Sequence, residues 1–284
     1  MQTVTFTNSR GQSVELKNIA PFVLSMIEGL GDVESVTQTQ KSPFQHGTTY
    51  IDSELESRFI PIEISIVGTN ESDISEKREY LSSVFNPTLG KGILRYENSR
   101  IVREIVAVSE HVPIYPSGDS RTHNYQVAVV DLICPDPFWC DVNPTNIKLE
   151  DFVSSFRFPF SFPVRFATRG DSRVLVNEGH VPTPVKITFR GESINPKITN
   201  QTTGKFIQIN RSIPKDYTLV INTAFGNKTI EIIAPDGVTT NANGYMDLAS
   251  EFFQLEVGEN KINFITEGGK PEVYIEYKNR YLGV

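Results

Sequence analysis

The stretch from Arg58 to Tyr96 constrains the fold of this chain more than any other. It opens with RFIPIEISIV, in which Ile60, Ile62, Ile64 and Ile66 alternate with Pro61, Glu63 and Ser65. An apolar residue at every second position is the mark of a strand with one buried face. Gly68, Thr69 and Asn70 break the strand. Ser72 and Asp73 are good N-cap types, and Glu76 three residues after Asp73 suggests a capping box. Ile74, Leu81, Val84 and Phe85 then recur at helical spacing, with Glu76, Lys77 and Glu79 on the opposite face. Pro87 ends that helix, because the residue before a proline avoids the α region. Gly90 and Gly92 turn the chain into a second strand, Ile93 to Tyr96. One short helix packed between strands is the expectation.

Strand patterning continues on both sides. Val4 and Phe6, a turn at Asn8 to Gly11, then Val14 and Leu16 read as a strand pair. Pro21 to Leu30 is apolar and is followed by Gly31. Residues 36–58 read as a polar-tipped arm between two strands, with a loop over Lys41–Thr49 and an acidic run at Asp52, Glu54 and Glu56. Such an arm either holds a neighbouring subunit or is a mobile hairpin. Arg100–Val108 is a further strand, His111–Thr122 a loop, and Asn124–Cys134 an almost continuous apolar run suited to a buried strand. Pro135 and Pro137 cannot continue a ladder, so a first domain ends near residue 140, with Phe138 and Trp139 as a plug at the junction.

Residues 141–172 read as a connector, dense in phenylalanine from Phe152 to Phe162. From residue 173 to 284 only strands are expected. Val174 and Val176, then Val185, Ile187 and Phe189, alternate, and turn signals such as Asp236-Gly237 and Gly258-Glu259-Asn260 separate the later runs. Some eight short strands at this spacing mean an antiparallel sandwich or jelly roll.

Composition narrows the function. Residues 1–140 hold 11 Lys and Arg against 18 Asp and Glu, and residues 141–284 hold 16 of each. The net charge of −7 therefore sits in the first half, which argues against a basic nucleic-acid groove. No run of about 18 apolar residues suggests a membrane span. The opening MQTVTFTNSRGQSVEL is not that of a secretory signal. Cys134 and Cys140 are expected to be reduced thiols, and His46, His111, His123 and His180 are too scattered for a metal site.

Catalytic motifs are missing. The chain has no G-x-S-x-G elbow, no phosphate-binding loop, no dinucleotide fingerprint and no HExxH. Gly90-Lys91-Gly92 reads as a turn. The pairs Glu150/Asp151 and Asp136/Asp141 would need a cleft to act as glycosidase carboxylates, and spacing alone supplies none. No catalytic residue, cofactor or metal is expected.

The I-x-I-x-I strand, the helix ending FNP and the G-x-L-x-Y strand resemble the distal tail protein family of long-tailed, non-contractile phages. CPDPFW extends the likeness, as do GESINPKITNQTTGKFIQIN, FFQLEVGENKINF and the closing YKNRYLGV. The resemblance implies a mainly β chain: an N-terminal split β-barrel with one α-helix, then a C-terminal galectin-like β-sandwich. It implies a structural phage or prophage tail protein, present in the virion and, during assembly, in the host cytoplasm. Six copies would form a ring around the DNA passage, joining the tail tube protein to tail-tip, fibre or receptor-binding proteins, with no sequence-specific nucleic acid and no membrane partner. On that reading Phe44, His46 and Tyr50, with Arg78 and Tyr80 of the helix, are candidate ring contacts, and Asp52, Glu54 and Glu56 face the lumen. Galectin-like sandwiches also suggest an alternative, a carbohydrate-binding module in which Tyr217, Phe225, Tyr245 or Phe252 stack on a sugar unless they fill the core.

Overall fold

The computed structural model describes residues 2–149 and 169–284. The Phe152–Phe162 run, the Glu150/Asp151 pair and most of the expected connector lie outside the described residues. The chain forms two compact units, residues 1–142 with 281–284, and residues 143–280.

In the first unit, β1 (Thr3–Thr7), β2 (Ser13–Leu16), β3 (Phe22–Ile27), β4 (Ser35–Gln40), β5 (Thr49–Leu55) and β6 (Arg58–Val67) precede helix α1 (Glu71–Val84). After it come β7 (Gly92–Glu97), β8 (Val102–Ser109), β9 (Tyr125–Cys134) and β10 (Trp139–Asp141). The main sheet runs β2-β1-β7-β8-β9-β6-β3, with β10 on β8. A bridge between Lys17 and Val23 brings its first and last strands together, giving a split barrel with one helix. The alternating isoleucines of β6 are fully buried, as are Val4, Leu16, Leu94, Val130 and Leu132. Helix α1 adds Ile74, Leu81 and Val84, and Phe85 stacks on Phe6 with centroids 4.8 Å apart.

Three local expectations are corrected here. The helix cap is Asn70, ahead of Ser72 and Asp73: its side chain accepts from the Asp73 N–H at 3.0 Å. Strand β9 is fully buried on one face only, with Ala128, Val130 and Leu132 inward and Val127, Val129 and Ile133 partly buried on the other. Trp139 is fully buried within the unit's own core, edge-on to Tyr96 at 6.3 Å.

The second unit is a two-sheet sandwich. One sheet sets side by side Thr145–Leu149, Glu272–Tyr277, Lys186–Arg190, Thr218–Asn222, Thr229–Ile233 and Thr239–Asn241. The other sets Arg169–Asn177, Gly258–Thr266, Lys197–Asn200 and Phe206–Gln208. Phe189 and Phe264 meet edge to face between them at 6.3 Å, the geometry their ring quadrupoles favour. Val174 and Val176 point outward, 50% and 44% exposed, and Leu175 takes the core position. Gly258, Glu259 and Asn260 belong to a strand and make no turn. Buried Asn260 holds that strand's start by donating to the Glu256 carbonyl oxygen at 2.7 Å.

Candidate assembly surface

The most open feature of the first unit is the arm formed by β4 and β5. They pair only with each other, and every one of their residues is exposed. The sequence places this arm off the core because it alternates polar with isolated apolar residues: SVTQTQ on one strand, TYIDSEL on the other. At the tip, the Gln45 N–H donates to the Ser42 carbonyl oxygen at 3.1 Å, and the Gln45 side chain bonds the Ser42 N–H and the Thr49 hydroxyl at 3.0 Å each. Phe44 stands at φ 64°, in the left-handed region, and is 102% exposed. A phenylalanine seldom adopts that conformation in a turn, and here it aims the ring into solvent.

Pairing across the arm decides which side chains share a face. Glu54 lies opposite Val36, and Asp52 opposite Gln38. The register then shifts between Gln38 and Thr39, so that Tyr50 lies opposite Thr39 and Ile51 is left over. Such a bulge reverses the alternation. Tyr50 thereby joins the face of Ser53 and Leu55, away from Asp52 and Glu54. Ser53 reaches the Thr37 hydroxyl on that face at 3.4 Å.

Phe44, His46 and Tyr50 are thus gathered on one hairpin with Asp52 and Glu54. Glu56 follows at the arm's base, its N–H bonded to the Glu34 carbonyl oxygen at 3.0 Å. Arg78 and Tyr80 lie on α1 and are engaged within their own unit. The Arg78 guanidinium sits 4.5 Å above the Tyr115 ring. Tyr80 stacks on Phe22 at 5.9 Å and donates its hydroxyl to the Ser13 carbonyl oxygen at 2.5 Å.

A second surface was not anticipated. The outer side of the main sheet presents Phe59, Ile93, Val106 and Ile114, each 42–55% exposed. Ile93 pairs with Val106, and Phe59 with Ile133 of β9. The near-continuous apolar composition of β9, whose outward Val127, Val129 and Ile133 are only partly buried, was the available signal.

No group of three His, Cys, Asp or Glu side chains suited to a metal occurs among the described residues. Asp136 serves a turn, accepting from the Phe138 N–H at 3.4 Å. No helix among the described residues is long and apolar enough to cross a membrane. Of the sandwich aromatics, Tyr217 and Phe252 pack against the core. Phe225 is 88% exposed, with Lys228 5.5 Å from its ring, and Arg211 lies 4.2 Å above Tyr245.

Two family models match. Residues 9–134 match the phage tail protein RIFT-related domain, and residues 178–281 match the siphovirus-type tail component, C-terminal domain. No curated protein matches the chain. Among solved structures, the chain is similar to the Dit (gp 19.1) protein of phage SPP1, described as a paradigm of the hub adsorption apparatus in phages infecting Gram-positive hosts. That likeness has a TM-score of 0.69 at 12% identity and covers 98% of both chains. A chain of the phage p2 baseplate in its calcium-activated conformation matches with a TM-score of 0.55 at 12% identity over the whole of both chains. The strontium form matches with a TM-score of 0.54 at 12% identity, covering 97% of this chain and 98% of that one.

Proposed function

The chain belongs to the siphophage distal tail protein family and is a structural component of the phage tail and baseplate, and on that premise we propose that six copies close into a ring between the tail tube and the tail tip. DNA passes through that ring. The neighbours of the ring are the tube protein on one side and tip, fibre or receptor-binding proteins on the other. The observation that carries this reading is the arm. A two-stranded hairpin that packs on nothing is marginal by itself, yet this one exposes Val36, Phe44, Tyr50 and Ile51. Burial against a neighbour would stabilise it by about 25 cal/mol for each Å² of apolar surface covered.

A ring is built from head-to-tail contacts, so each copy needs two different patches. The arm is one. For the other, the exposed sheet face around Ile93, Val106 and Ile114 fits better than Arg78 and Tyr80, which already pack on Tyr115 and Phe22 inside the unit. Asp52 and Glu54, on the face opposite Tyr50, then turn toward the passage, where negative charge keeps DNA from sticking.

Multi-angle light scattering tests the reading. The purified protein alone should show a species of about six chain masses, or, mixed with its tube protein, a complex that holds about six copies of the chain, as six copies close the ring. Phe44→Asp with Tyr50→Asp should reduce it to single chains that keep their far-ultraviolet circular dichroism. A wild-type chain that stays monomeric in both settings, or a double variant that assembles normally, refutes it.

A further inference from the structure

The arm joins the first unit through two crossings, Gly29–Gly31 outward and Glu56–Arg58 inward, and a third segment from the far end of the sequence lies against both. Arg58 is 1% exposed. Its guanidinium donates to the carbonyl oxygens of Gly29 at 2.7 Å, Pro137 at 2.8 Å and Leu282 at 2.6 Å. A buried guanidinium is tolerated only when its donors are matched, and Leu282 supplies one of the three acceptors. Next along, the Val284 N–H donates to the Leu30 carbonyl oxygen at 3.1 Å. The segment is gripped from its other side by Arg103, which sits 3.6 Å over the Tyr281 ring and donates to the Gly283 carbonyl oxygen.

Bare backbone makes this contact close. A Cβ on Gly29 would fall 2.0 Å from the Phe59 carbonyl oxygen, and one on Gly283 would meet the Leu30 oxygen at 3.1 Å and the Gly31 Cα at 3.2 Å. Gly29 also has φ 77°, which glycine alone adopts freely. Beside these contacts, the backbone bonds that flank the root are Glu28 N–H to the Pro61 oxygen at 3.2 Å and Glu56 N–H to the Glu34 oxygen at 3.0 Å.

We infer that Tyr281–Val284 is a splint for the arm, and that Arg58 is the positioning residue through which it holds the arm root at a fixed angle. The segment makes backbone contacts to both crossings, so its release frees the root while the barrel core stays packed. The consequence for assembly rests on the arm being the self-contact proposed above; the splint itself does not.

Hydrogen–deuterium exchange on the full chain carrying Tyr281→Ala and Val284→Pro tests it. These changes remove the ring under Arg103 and the N–H to Leu30 without altering Arg58. The amides of Glu28 and Glu56 should exchange about tenfold faster, while that of Val130 in the core is unchanged. Wild-type rates at Glu28 and Glu56, or an equal rise at Val130, overturn the proposal. If that chain does not fold, Arg103→Gln takes the same measurement with the same two outcomes. Light scattering on the same samples separates the two claims: a wild type that never assembles but shows the exchange effect ends the ring reading and leaves the splint standing.

Discussion

Asn70 and Asp73 cap helix α1 together. The Asn70 side-chain oxygen accepts from the Asp73 N–H at 3.0 Å, and the Asp73 carboxylate accepts from the Thr69 N–H at 2.7 Å. Lys77, one turn on, bonds the same carboxylate and holds it below the usual carboxylate range, with the Thr69 N–H adding to the effect. Replacing Asn70 by Ala leaves the Asp73 N–H unmatched and should destabilise the first unit by about 1 kcal/mol. Trp139, the chain's single tryptophan, is buried in that unit. Its fluorescence in urea therefore reports this unit alone, and an unchanged midpoint would remove the cap's role.

His111 ties the loop after β8 to β9. Its Nδ1 lies 2.9 Å from the Val112 carbonyl oxygen and its Nε2 lies 2.9 Å from the Asp131 carboxylate. Only the doubly protonated ring donates to both. The Val112 carbonyl first, then Asp131, raise the histidine above its ordinary value of 6.5. A raised folded value means the clasp is fully present below about pH 6.5 and is lost as pH rises through the folded value. Stability of the first unit should therefore fall across the interval just above pH 6.5. His111→Gln should flatten that slope. A wild-type urea midpoint independent of pH there would refute the clasp.

How much of this was legible in the residues differs between core and surface. The two-residue period of Ile60–Ile66 reports burial directly, so β6 and the short helix after it could be read from the chain. Val174 and Val176 misled because alternation reveals a period but not which phase faces inward; only the packed sandwich shows that Leu175 takes the core position. The bulge at Ile51 has no signature in TYIDSEL, so the separation of Tyr50 from Asp52 was invisible. Arg58 looked like an ordinary strand-opening charge. Its acceptors lie 29, 79 and 224 positions away, and no local pattern encodes partners at such separations.

Cys134 should be chemically silent in the folded protein. Burial pushes its thiol up to about 12, against the opposing effect of the Arg58 guanidinium. A thiol is nucleophilic only as the thiolate, so essentially none is available at neutral pH. Alkylation followed by peptide mass mapping should leave Cys134 unmodified in buffer and label it in urea. Labelling in buffer at the rate of an exposed thiol would show that the β9 end opens readily.

The bulge gives the acidic face its own test. With Ile51 left over, Asp52 and Glu54 share a face with Val36 and Gln38, while Tyr50 lies on the other. One hairpin can then offer a face carrying Tyr50 and Leu55 to a neighbouring copy and an acidic face to a polyanion. Neutralising Asp52, Glu54 and Glu56 as Asn, Gln and Gln should leave assembly intact, since none shares Tyr50's face in the paired arm. It should raise DNA retention in a gel-shift assay at low salt, with the effect vanishing as salt rises, because phosphate attraction is screened by counterions. Unchanged DNA affinity together with unchanged genome ejection would remove all three carboxylates from the passage. Inserting one residue between Gln38 and Thr39 probes the same geometry from the other side: it gives Ile51 a partner, restores the regular alternation, moves Tyr50 onto the face of Asp52, and should abolish assembly even though no residue of the arm has been replaced.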